Sequence, residues 1–161
     1  MQPSLTSSSI AQPMQQAELI LKLYELRREA VMRQARGFIG GPFLPSSVDD
    51  FVAQVSAGNQ QSGFILQVYG YWDMVSAFVI HGALTEPLVY DTCQEMYFQY
   101  SKIQPYLAGF REKMNLPEFL RSLEAVVEGS EAGRARVQTM RQNIHTIAEI
   151  RAQTSSGNDT G

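Results

Sequence analysis

Lysine and arginine are missing from 65 consecutive residues of this 161-residue chain, Gly37 to Ser101. The gap carries six acids and no base, so it stands formally at −6, while the residues before it sum to +2 and those after it to +1. These two side chains are the least willing to leave water, so a long stretch without them marks the buried centre of a fold. A net charge of −3 argues against the basic surface that nucleic acid or an anionic membrane attracts. A single cysteine, Cys93, cannot close an internal disulfide and fits a reducing cytoplasm. No base lies near Cys93 in sequence to activate its thiol. The two histidines, His81 and His145, have no cysteine at zinc spacing, which argues against a structural zinc. Met1 to Gln16 has neither a base nor a continuous apolar run, so it does not read as a secretory signal. There is no phosphate-loop Gly-Lys-Ser/Thr, no Gly-x-Ser-x-Gly elbow, no His-Glu-x-x-His and no Glu-x-x-His. The pattern asks for no cofactor, and no strand period is visible.

What is present is helical period. The length suits one domain able to bury roughly two thirds of its unfolded surface. Residues 1–13 and 153–161 are polar tails expected to be disordered, around a helical domain over 14–152. A first helix over Met14 to Arg36 shows Leu19, Leu23, Leu26 and Ala30 at helical spacing, with Gly37 as its stop. Phe38 to Ser46 reads as an apolar loop because of Gly40, Gly41 and Pro42. Ser47 caps a short helix, Val48 to Ala57. The third helix, about Gln61 to Gly82, is apolar on nearly every side. Its 17-residue run Phe64 to Ile80 holds only Asp73 as a charge. A bilayer span needs about 20 apolar residues and resists a central carboxylate, so a buried core helix is the better reading. Thr85 opens a fourth helix, paired with the third as a hairpin, that Pro105 should kink or break. Asn115 opens a fifth, ended by Gly129. The last, about Glu131 to Ala152, shows Val137, Met140, Ile144 and Ile147 as a narrow seam of the coiled-coil kind. The fold class is all-α: a single-domain bundle of five to six helices around a central apolar helix.

Three acids of the base-free segment fall outside helix first turns: Asp73, Asp91 and Glu95. Asp91 and Glu95, four apart, should share one helix face and are the weak candidates for a metal, although two carboxylates are too few ligands. Gly70, Asp73, Ala77 and His81 line one stripe of the third helix. The structural reading is a close helix contact with hydrogen bonds across it. The functional reading is a pocket whose floor offers Asp73 and His81 to a small ligand beside Trp72 and Tyr90. Those two polar groups lie about 12 Å apart along the axis, too far to act as a catalytic dyad. His81 also suits a helix C-terminus.

The run Tyr71-Trp72, Gly82, Leu88, Tyr90-Asp91, Phe98, Tyr100, Pro105-Tyr106 and Arg111 resembles a family of bacterial helical proteins known as a domain of unknown function. Members often carry an amino-terminal membrane helix, which Met1 to Gln16 does not provide. The resemblance implies a bacterial all-helical domain and transfers no catalytic residue. The reading is a non-enzymatic interaction or scaffold module in the cytoplasm, a homodimer or a binder of a protein partner through the first or last helix, without nucleic acid and without a transmembrane segment. The alternative is a small-molecule sensor or unrecognised enzyme at the Asp73/His81 stripe or the Asp91/Glu95 pair.

Overall fold

The computed structural model describes residues 12–157. It is all-α, with eight helices and no strand among the described residues: α1 (Pro13–Arg28), α2 (Ala30–Gly40), α3 (Val48–Ser56), α4 (Gln60–Ile80), α5 (Glu86–Thr92), α6 (Gln94–Met114), α7 (Arg121–Glu128) and α8 (Glu131–Gly157). The count exceeds the expected five to six because two anticipated helices are each divided. The first breaks at Glu29, which takes φ −56° and ψ 142° and caps α2 by accepting from the Met32 amide at 3.0 Å. The fourth breaks at Cys93, φ −118° and ψ 52°, and not at Pro105, through which α6 is continuous. The Ser101 carbonyl that Pro105 leaves without its helical donor accepts instead from Arg141 Nη1 at 3.4 Å.

Other boundaries moved as well. Gly37 does not stop the chain, and α2 runs on to Gly40. The end falls where Pro42 disfavours a helical residue before it. Phe38 and Ile39 are therefore helical, while Phe43 is buried in the loop and Leu44 is exposed. Asn115 is the left-handed C-cap of α6, φ 52°, a conformation asparagine tolerates, and α7 begins only at Arg121. The expected tails lie largely outside the described residues, except that α8 continues over 153–157. The caps at Ser47 and Gly129 stand where the residue types placed them, and the Ser47 side chain, accepting from the Asp50 amide, is worth about 1 kcal/mol.

The base-free segment supplies most of the interior. Trp72, Tyr69, Tyr97, Tyr100, Phe43 and Phe51 are among the largest fully buried side chains, and Phe51, Phe110 and Phe119 stack in series at 4.7 Å between centroids. Tyr69 donates its hydroxyl to the Gln99 carbonyl at 2.8 Å and Tyr71 to the Leu23 carbonyl at 2.7 Å. Burial pushes both phenols well above their ordinary value. Helix α4 packs against α2, α3 and α7. It is long and apolar enough to cross a membrane, at a mean hydropathy of 1.3. It is not sequestered all round, though. Ile65, Val68, Tyr69, Trp72, Val75 and Ser76 are buried, and Leu66, Gly70 and Met74 form an open strip. Space beside α3 comes from Gly109 of α6, where a Cβ would stand 2.7 Å from a Val48 methyl.

Candidate functional site

The break at Glu29 decides the strongest polar cluster. It turns α1 and α2 so that Arg27 and Arg36 both meet Glu95 at the start of α6. Arg36 Nε donates to the two carboxylate oxygens at 2.9 and 3.1 Å, its Nη2 donates to Oε2 at 2.5 Å, and Arg27 Nη2 donates to Oε2 as well. Burial pushes the Glu95 carboxyl up, but the Arg36 hydrogen bond and the two guanidinium charges outweigh it and hold it below the usual range. The Glu95 bond in turn raises Arg36.

This arrangement overturns the expected helix face. Because the chain breaks at Cys93, Asp91 belongs to α5 and Glu95 to α6. Both border one open cleft with Tyr24 and Thr92, yet Glu95 is turned to its arginines and Asp91 is exposed. No group of three or more His, Cys, Asp or Glu able to hold a metal occurs among the described residues.

The other candidates point to separate neighbours. Asp73 Oδ1 accepts from the Leu123 amide at 2.9 Å. Leu120 precedes α7 in the left-handed region, φ 54°, and gives it no side-chain cap, so Asp73 caps α7 from α4. The hydrogen bond across the stripe is therefore present. No neighbouring helix sits close against Gly70, where a Cβ would meet open space. His81 is the C-cap residue of α4 and is exposed. Trp72 is buried against Tyr71, 4.8 Å away, with the Arg27 guanidinium 5.1 Å from its ring. Tyr90 is half-buried under Arg136 of α8, whose guanidinium lies 3.4 Å from the ring centroid and donates to the Tyr90 carbonyl.

Sequence reasoning passed over Lys102. It is 5% exposed, and its Nζ donates to the Ile39 carbonyl near the end of α2 and to the Phe43 carbonyl in the loop that follows. The Phe98 ring lies 4.8 Å away. No carboxylate is bonded to it, and burial pushes its pKa down to about 8. A signal was available: Phe98 and Tyr106 flank it at i−4 and i+4, so one helix face encloses the lysine in aromatic carbon. Cys93 is buried too, and burial raises its thiol, which disfavours the thiolate.

Taken together, these features define a helical bundle whose buried acid, Glu95, is matched from distant parts of the chain while Lys102 rests on backbone carbonyls. The family scan agrees in kind: the model described as Domain of unknown function (DUF4760) matches residues 13–130, and the chain belongs to that family. The match spans α1 to α7 and ends just before α8. No curated protein and no solved structure matched the chain.

Proposed function

We propose that this protein is a non-catalytic helical interaction module that pairs with a second copy of itself through α1. The observation that carries the reading is the outward stripe Met14, Ala17 and Leu21 at i, i+3 and i+7, continued at i+10 by Tyr24, whose hydroxyl is bonded to the Thr92 carbonyl of its own molecule. Met14 is 72% and Leu21 64% exposed. Apolar side chains at that spacing on a solvent-facing helix are what a coiled-coil seam presents. Glu18 and Glu25 flank the stripe and Arg28 prolongs it.

The seam on α8 is less suited to the role because it turns inward. Val137 is buried and Met140 packs on the core, while Ile144 and Ile147 line a groove of the same molecule. The ionisable groups best placed for chemistry also have structural partners: Glu95 its arginines, Asp73 the first turn of α7, Lys102 the Ile39 and Phe43 carbonyls. Sedimentation at micromolar concentration tests the proposal. The wild-type chain should run as a dimer, and Leu21→Glu should run as a monomer with unchanged helicity. A monomeric wild-type chain overturns it.

A further inference from the structure

Between α8, the loop after α2 and the middle of α6 lies a cleft of about 310 Å³, in the size range of small-ligand sites. A second cleft, about 120 Å³, adjoins it through Leu44, Lys102, Ile144 and Ala148, which line both. The walls are mainly apolar, with Pro45, Pro105 and Tyr106 adding to that lining. The charged side chains in them are all basic: Lys102 and Arg141 in the larger cleft, with His145 beside them, and Lys102 and Arg151 in the smaller. Among the described residues no acid lines either cleft. Asp50 of α3 is bonded to Ser46, which lines the larger cleft, and to Gln54.

Two of these cations are built in place. Pro105 frees the Ser101 carbonyl, and that carbonyl holds Arg141 by one N–H at 3.4 Å, leaving most of the guanidinium fork unused. Lys102 is buried with two of its three donors on carbonyls and has no counter-ion. A buried charge without a partner is costly, and an anion entering the cleft would relieve that cost. This is unusual in a chain of net charge −3.

We infer that this cleft binds a small amphipathic carboxylate, its head between Lys102 and Arg141 and its apolar body along Leu44, Ile144 and Ala148. The site is separate from the α1 stripe, so it stands or falls independently of the dimer.

The test is a ¹⁵N-resolved NMR titration of the full chain with decanoate below its micellar concentration, alongside decan-1-ol and inorganic phosphate. Saturable decanoate binding that shifts Lys102, Ile144 and Ala148 is expected, with decanol and phosphate each at least ~10-fold weaker, the factor one charge-assisted contact supplies. Arg141→Gln should weaken decanoate ~10-fold, and Ala148→Glu, which puts a carboxylate into the cleft, should abolish binding. Equal affinity for decanol removes the charge from the argument. Equal affinity for phosphate removes the apolar body. Shifts confined to α1, or no saturable binding, overturn the site altogether.

Discussion

Glu95 and Lys102 sit two turns apart on α6, and the fold treats them in opposite ways. Glu95 has a guanidinium from α1 and another from α2. Lys102 has only carbonyl oxygens and an aromatic face. The difference follows from the chain's charge layout. The base-free segment must draw its cations from outside itself, and it does so acid by acid. Arg27 and Arg36 reach Glu95, and Lys113 reaches Asp49. Two further acids take neutral donors, the Leu123 amide for Asp73 and the Ser130 hydroxyl for Glu86, while Asp91 is exposed. Lys102 is the first base after the gap. It enters an interior whose acids are already matched, and it is left with backbone dipoles. A long gap in one charge sign thus marks more than burial, because it also fixes which distant segments must fold back onto it.

The sharpest way to break this contrast is Glu95→Gln. It leaves two guanidinium groups facing each other across a partly buried junction, and removal of one member of such a group costs about 3 kcal/mol. Chemical denaturation at pH 7 should show that loss. Because the folded carboxyl is held below its usual range, its contribution is fully present above the unfolded value of about 4.3 and disappears as pH falls through the folded one. The wild-type and variant curves should therefore converge in acid. A constant difference down to pH 2 would mean that the junction holds by shape alone.

The complementary experiment is Lys102→Met. A lysine whose folded pKa lies near 8 destabilises the native state below that pH, and the penalty is relieved as pH rises toward the unfolded value of about 10.4. The wild-type chain should gain about 2 kcal/mol between pH 8 and 10 relative to the variant, which has nothing to titrate there. The raised Cys93 thiol pulls the other way in both proteins, so the difference isolates the lysine. A flat difference would show that Lys102 is better compensated than its neighbours suggest.

Legibility in the sequence divided along the same line. Helix type, the interior role of the charge gap and the caps at Ser47 and Gly129 were readable because each depends on residues near in sequence. The breaks at Glu29 and Cys93 were not. Nothing local to Glu29 shows that opening the helix lets Arg27 and Arg36 converge on one carboxylate. The missed division at Cys93 had a further consequence, since it placed Asp91 and Glu95 on a face they do not share. Pro105 carries a local breaking signal that the tertiary structure overrides. Its cost falls on one carbonyl, and α8, 36 residues further on, supplies Arg141 as a replacement donor. The stripe through Asp73 was recognised as a place for a hydrogen bond across helices. Its partner was out of reach because Asn115 has the residue type of a helix start, whereas the N-cap of α7 is Leu120, five residues later.

Asp73 offers the smallest and most discriminating test of that layout. Helix α7 begins after a leucine with no cap of its own, so one of its free amides is satisfied only from α4. Asp73→Ala should cost about 1 kcal/mol, the ordinary worth of a capping side chain. Asp73→Asn, which keeps an acceptor oxygen, should cost less. Hydrogen exchange should localise the effect: the Leu123 amide loses protection in the alanine variant while amides in α2 and α3 keep theirs. Equal losses for Ala and Asn would move the weight from the hydrogen bond to the charge near the α7 dipole. A neutral Asp73→Ala would mean that α7 is held by Leu123, Val126 and Val127 alone, and that a charge inside the base-free segment can be idle.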